Sequence, residues 1–463
     1  MTTAVLDRAS PRGRATLVAV TLGSGIAILD GSVVNVALRT IGVELDASLA
    51  QLQWVLNGYM LALASLVLVG GSLGDRLGRR RVYLLGMTWF MIASALCAVS
   101  QSPTQLITMR VLQGVGAALL TPGGLAIIQS AYRREDRAGA IGTWAGMSGI
   151  AAAIGPFIGG YLIDHGGWRW IFAINVPLCV VVIALCMWAT PGSRDLEAAG
   201  RFDTVGALLT VVLLGTLTYA LTAVSTAPTV LVAGLVALAL AALAGFLVAE
   251  RRQGSPLVPL SLFLSRIFSA ANAMTFLVYG ALGAVFFIVV LQLQVSAGWS
   301  ALRAGVSGLP VTVAMMLLSS RAARLSARIG PRIPMTVGPL VCGLGCAMLV
   351  GVGPGTTWWG VLPGMVVFAL GLSLLVSPLT STVLAAAPDR YAGVASGINN
   401  AVARAGSLLL VAALPAVVGL SGEDYRNPTV LTAGYRASML ICAGLLAAGG
   451  TVSWFGLGRA ERP

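Results

Sequence analysis

The chain has 463 residues, 57% of them hydrophobic and 10% charged, with a mean hydropathy of +0.90. Soluble domains carry about 25% charged residues, so this composition excludes a water-soluble globular fold and indicates a polytopic membrane protein. The formal charge of +13 sits in short clusters between apolar runs. That placement is a topology signal and argues against nucleic acid as a partner.

All 29 basic residues are arginine. Without lysine there is no P-loop for ATP, no kinase-type lysine and no Schiff base to a carbonyl cofactor. Energy for any pumping must therefore come from a gradient or a partner, and no cofactor is expected. The six cysteines lie in apolar runs and His165 is the single histidine, so no metal site is expected.

Apolar runs of about 20 residues, enough to span a bilayer, fall at 15–37, 50–73, 82–100, 104–131, 138–163, 168–189, 204–224 and 228–249. Six more fall at 268–294, 302–320, 333–353, 358–386, 392–420 and 431–456. The fold class expected is all-α, polytopic, with fourteen transmembrane helices. Twenty-two arginines occupy one set of connecting segments and five the other, with Arg110 and Arg404 inside runs. The positive-inside rule then puts both termini in the cytoplasm. The first run has the basic flank of a signal peptide, but it is too long and has no small-residue cleavage site, so it is expected to be retained.

The first run holds Asp30, the one acid within a membrane-length apolar segment, in Leu29-Asp30-Gly31-Ser32-Val33-Val34-Asn35-Val36-Ala37-Leu38. An ionisable group in hydrocarbon is costly and marks function by default. The second run carries Asn57 and Tyr59 and leads into Gly71-Ser72-Leu73-Gly74-Asp75-Arg76-Leu77-Gly78-Arg79-Arg80-Arg81. Its glycines suit a tight turn, and Arg79 or Arg80 is placed to pair with Glu135 or Asp136. The fourth run has Arg110 and Gln113. Counted along the helices at 1.5 Å per residue, Asp30 lies about 12 Å and Arg110 about 9 Å from the same face, so the two share a level.

The fifth run contains Gly146, then Gly155-Pro156-Phe157-Ile158-Gly159-Gly160, small residues and a helix-kinking proline suited to a gate. Trp168-Arg169-Trp170-Ile171-Phe172-Ala173-Ile174-Asn175-Val176-Pro177 opens the sixth. The seventh and eighth carry no charge and few polar groups, and are expected at the periphery. The Gly71–Arg81 pattern returns as Leu325-Ser326-Ala327-Arg328-Ile329-Gly330-Pro331-Arg332, without the acid. That repeat maps runs one to six onto nine to fourteen. It gives an N-terminal six-helix bundle (1–190), a linker with two extra helices (191–266) and a C-terminal six-helix bundle (267–463). Asn272 and Tyr279 share a face of the ninth run. The thirteenth has Gly393-Val394-Ala395-Ser396-Gly397-Ile398-Asn399-Asn400, then Arg404.

The Gly71–Arg81 string resembles the cytoplasmic motif of the major facilitator superfamily along its whole length, and Gly155–Gly160 resembles the antiporter pattern of the same superfamily. With the Leu29–Leu38, Trp168–Pro177 and Gly393–Asn400 strings, the chain is similar to the fourteen-helix drug:proton antiporter branch, of the EmrB/QacA type. Two positions depart from that pattern: Arg39 stands where the family usually has proline, and Ser32 where it has threonine.

The resemblance implies a bacterial inner-membrane exporter of small amphiphilic or hydrophobic compounds, driven by proton antiport through alternating access. Asp30 and Arg110 would form the proton-coupling pair. Asp75, Arg76, Gly78, Arg79 and Arg80, with Gly155, Pro156, Gly159 and Gly160, would act in gating and as a latch. Asn35, Asn57, Tyr59, Gln113, Asn272, Tyr279, Asn399, Asn400 and Arg404 are the candidates for the substrate cavity. With one buried acid against two arginines, neutral, monovalent or weakly anionic substrates are expected rather than dications. A metabolite facilitator or proton symporter shares the fold; a membrane sensor would carry a soluble domain, for which the longest hydrophilic stretch, 190–203, is too short. No nucleophile–base set indicates an enzyme.

Overall fold

The computed structural model describes residues 6–192, 203–253, 258–388 and 391–457; the regular structure among them is helical, apart from one isolated bridge between Leu6 and Tyr132. Most of the hydrophilic stretch 190–203, with Arg194 and Arg201, lies outside the described residues, as do Arg390, Arg459 and Arg462.

The helices are α1 (Pro11–Glu44), α2 (Leu49–Leu77), α3 (Arg79–Ala98), α4 (Pro103–Ala131), α5 (Arg134–Gly166), α6 (Trp170–Ala173), α7 (Asn175–Ala189), α8 (Thr204–Ala223) and α9 (Thr229–Arg252). They continue with α10 (Arg266–Val295), α11 (Ala301–Val306), α12 (Leu309–Ile329), α13 (Arg332–Leu349), α14 (Trp358–Ala385), α15 (Ala392–Val417) and α16 (Pro428–Gly456). Among the described residues thirteen helical segments are long and apolar enough to cross a membrane, and α5, at 33 residues, is a further long helix. Their starts are written locally. Ser10–Pro11, Ser102–Pro103 and Asn427–Pro428 each place a capping side chain before a proline in the first turn, where the missing N–H is no loss.

Several helices differ from the apolar runs. α1 has 34 residues, about 51 Å of helix, because the polar ends beyond 15–37 remain helical. The sixth run is split into α6 and α7 at Ile174, and the tenth into α11 and α12. The Gly71–Arg81 segment is a correction to the expected loop. α2 stays helical through Gly71 and Gly74 to Leu77, and only Gly78, at φ 103°, makes the turn. Gly330, at φ 83°, does the same between α12 and α13. Left-handed backbone is strained for side chains with a Cβ, so the glycine is the part of the repeated motif that geometry requires.

The chain divides into two compact units, Met1–Ala47 with Trp54–Val211, and Ser48–Gln53 with Val212–Pro463. The division falls within α8, and the first residues of α2 belong to the second unit. There the Gln53 side-chain amide donates to the carbonyls of Val411 (2.6 Å) and Ala412 (3.0 Å). Within the first unit α1 packs on α4, α5 and α7, and α3 packs on α4 and α7. Within the second, α10 packs on α14, α15 and α16, and α13 on α14 and α16. The same pairing scheme is drawn twice, as the sequence repeat implies. α9 is largely exposed, with Val230 at 85%, as suits a helix apolar on every side.

Candidate functional site: a buried ion pair in the first unit

Glycines set the helix spacing that builds the site. A Cβ on Gly114 of α4 would lie 2.5 Å from the Tyr59 carbonyl of α2, and one on Gly58 would lie 3.0 Å from Val111. Bare backbone at both positions lets α2 and α4 approach until the Tyr59 ring lies under the Arg110 guanidinium, 4.4 Å away. On the other side of α1, a Cβ on Gly155 would meet the Ser32 Oγ at 2.4 Å and one on Gly159 would meet Val33 at 2.6 Å. Gly155 and Gly159 are therefore contact positions between α5 and α1. Gly146 is not: a Cβ there meets nothing within 4 Å. Pro156 and the buried Gly160 lie inside α5, which runs unbroken through them.

Arg110 and Asp30 form a salt bridge through Nη1 and Oδ2, each side chain only 1% exposed. Arg110 Nη1 also donates to Gln113 Oε1 at 2.6 Å, and its Nε donates to the Val55 carbonyl at 3.1 Å. The Gln113 amide donates to Asp30 Oδ1 (2.9 Å) and to Ser94 Oγ (3.1 Å). The Asn175 amide donates to the same two atoms, at 3.1 and 3.0 Å. Ser94 in turn donates to the Phe172 carbonyl at 2.9 Å. The Phe172 ring centre lies 5.6 Å from the guanidinium, so Tyr59 and Phe172 supply two aromatic faces to a cation removed from water.

Every bond to Asp30 comes from a donor, the arrangement that suits a carboxylate anion. Charges this deep persist only when paired and hydrogen-bonded, since desolvation costs several kcal/mol per ion. The site can therefore hold one negative charge against one positive charge, and protonation of Asp30 would leave Arg110 with an unbalanced charge. Its helices meet the requirement locally. Asn175 begins α7 just after the Ile174 joint, which turns its amide into the unit between α1 and α3.

Of the residues expected from sequence, the structure gathers Asp30, Arg110, Gln113 and Tyr59. Asn35 is half-buried and Asn57 is buried, its Nδ2 without a hydrogen-bond partner among the described residues; neither bonds to the pair. In the second unit Asn399 donates to Asn272 Oδ1 (3.2 Å) and Thr275 Oγ1 (2.7 Å), a separate small cluster. Asn400 is exposed and bonds to the Ser396 carbonyl of its own helix, while Tyr279 and Arg404 are half-buried. The expected pairing of Arg79 or Arg80 with Glu135 or Asp136 is corrected. Arg79 pairs with Asp75 at 3.0 Å across the Gly78 turn, and Arg80 donates to the Met187 carbonyl. Asp136 instead accepts from the Arg8 backbone N–H, at 3.0 Å. Arg76 is half-buried.

Ser94 and Asn175 were not among the expected site residues. Asn175 had a signal, an amide in an otherwise apolar run directly before Val-Pro. Ser94 had none, since a serine in a membrane helix ordinarily bonds to its own backbone. The Trp168-Arg169 pair closes the same unit at the opposite end from Arg79. Trp168 and Arg169 both donate to Glu44 Oε2, at 2.8 and 2.7 Å, and Arg169 also donates to the Ser100 carbonyl at 3.2 Å.

The profile of the Major Facilitator Superfamily matches residues 20–411. The chain is 35% identical over 450 residues to a methylenomycin A resistance protein of Bacillus subtilis (strain 168), covering 96% of this chain and 95% of that one. It is also 35% identical over 419 residues to a tetracenomycin C resistance and export protein of Streptomyces glaucescens, covering 87% and 76%. Among solved structures, a bacterial homolog of the human lysosomal transporter Spinster, inward-facing and unoccupied, matches with a TM-score of 0.71 at 18% identity, covering 97% of both chains. At that identity the match speaks for the fold. The chain belongs to the Major Facilitator Superfamily: it is a multi-pass transporter of the bacterial inner membrane, and not an enzyme.

Proposed function

We propose that the protein exports small amphiphilic or hydrophobic compounds, antibiotics or secondary metabolites among them, in exchange for protons by alternating access. Relatives named for resistance to or export of methylenomycin A, tetracenomycin C and puromycin support the export reading over a metabolite facilitator or symporter. Both termini lie in the cytoplasm on the arginine count. No ATP is consumed; each proton crossing a 100 mV potential supplies about 2.3 kcal/mol.

The observation that carries proton coupling is the Asp30–Arg110 pair, 1% exposed on each side chain and closed by amide donors. Protonation removes the charge that balances Arg110 and so changes which packing of α1 against α4 is favoured. Ionisation restores it.

The test uses inverted membrane vesicles energised to an acid interior. Ethidium or methylenomycin A added outside should release protons in the wild type and not in Asp30→Asn. Release that survives the substitution overturns Asp30 as the carrier. A susceptibility panel comparing a null strain with one expressing the chain tests the substrate class. Protection against neutral, monovalent or anionic drugs is expected, and protection confined to dicationic antiseptics defeats the charge argument.

A further inference from the structure

Asn175 is the anomaly within the buried network. Its side chain is fully buried and both N–H bonds are used, yet Oδ1 has no hydrogen-bond partner among the described residues. A buried acceptor left unpaired is destabilising. The other acceptors in the network are occupied. Gln113 Oε1 accepts from Arg110, and Ser94 Oγ accepts from both Gln113 and Asn175 while donating to Phe172.

This matters because Asp30 is held only by donors. Once the carboxylate takes a proton, it becomes a donor itself and needs an acceptor in the same place. An amide can supply either function, because a half-turn about its last side-chain torsion exchanges N–H for C=O. The rotated amide would bring Oδ1 to the position now held by Nδ2, 3.1 Å from Asp30 Oδ1. The Ser94 hydroxyl can turn from the Phe172 carbonyl to donate to the same oxygen.

We propose, building on the reading of Asp30 as proton carrier, that Asn175 is a positioning residue for proton exchange: its amide donates to the ionised carboxylate and, rotated, accepts from the protonated acid. The proton stays on Asp30; only hydrogen bonds are exchanged. The remaining charged and titratable groups around Asp30 cannot take this part. Arg110 on α4 is donor-only, Cys97 on α3 and Cys179 on α7 are buried thiols, and Tyr59 on α2 donates to the Ala27 carbonyl. α5 presents Gly155 against Leu29 and Ser32, with no titratable group at that contact.

Asn175→Leu removes one of three donors from the ionised form but the single ready acceptor from the protonated form. The pH midpoint of ethidium-driven proton release should therefore move to more acidic pH, by about one unit, a tenfold change in proton affinity. Asn175→Gln, which keeps an amide, should bring the midpoint back toward wild type. An unmoved midpoint overturns the proposal. A shift to alkaline pH also overturns it, by showing that Asn175 acts only as a donor to the carboxylate.

A second measurement needs neither substrate nor a variant at position 175. Infrared difference spectra between acid and alkaline pH, with isotope-labelled asparagine, should show an asparagine side-chain carbonyl band that shifts in the wild type and is silent in Asp30→Asn. No such band overturns the proposal. Proton release that persists in Asp30→Asn would instead sink the carrier reading on which it rests.

Discussion

The two units are drawn to one plan and filled with different chemistry. In the first, a Cβ on Gly86 or Gly116 would strike the facing helix at 2.8 and 2.7 Å; in the second, Gly338 and Gly371 make the matching close approach between α13 and α14 at 2.8 and 2.5 Å. Counting from those glycines, the places of Arg110 and Gln113 on α4 fall at Met365 and Phe368 on α14, buried and apolar. Where one unit holds an ion pair, the other holds an ordinary core. Small residues that fix helix spacing are shared because both units need the same packing. The Asp30–Arg110 pair belongs to the first unit and has no counterpart at these positions of the second, since each charge placed in hydrocarbon is costly.

Four sets of substitutions test this contrast, taken from the costliest down. Arg110→Leu leaves Asp30 buried without its counter-charge and should lower thermal stability in detergent by about 3–5 kcal/mol. Adding Asp30→Asn should recover most of that loss without restoring proton release, whereas Met365→Leu should cost under about 1.5 kcal/mol. A double mutant no more stable than Arg110→Leu alone would show that the pair's charges are not what the site balances.

Next comes Gly406→Ala, whose Cβ would lie 2.4 Å from the Phe276 carbonyl. Backbone cannot move aside, so overpacking should cost about 1–3 kcal/mol. Gly155→Ala meets a serine hydroxyl and should cost less, and Gly146→Ala should be neutral within about 0.5 kcal/mol. Melting curves of the three variants that failed to fall in that order would refute the contact reading.

Asn399→Ala removes two interhelical bonds in the second unit and should cost about 0.6 kcal/mol while leaving the pH midpoint of transport in place. A moved midpoint would mean that the neutral cluster takes part in proton coupling. The smallest of the expected losses belongs to Arg79→Ala. Its pair with Asp75 is part-exposed and spans the Gly78 turn, so it should contribute at the low end of about 0.2–1 kcal/mol, fading in high salt.

The membrane class, the long helices, the repeated motif and the identity of the two charges are legible in the chain alone. Composition, apolar run length and the repeated Gly78 and Gly330 turns are local properties that no packing is needed to read. The level of Asp30 and Arg110 was also legible, because depth follows from counting residues along a helix. Tertiary structure alone decided the partners. That Gly71 and Gly74 stay helical, that Arg79 turns back to Asp75 rather than reaching α5, and that Ser94 and Asn175 converge on Asp30 depend on which helix faces meet. Those faces are fixed by close approaches such as Gly58 with Val111 and Gly155 with Ser32. Contacts between residues far apart in the chain leave no periodicity in it, so only the packed helices reveal that the buried Asp30 carboxylate is held by amides as well as by Arg110.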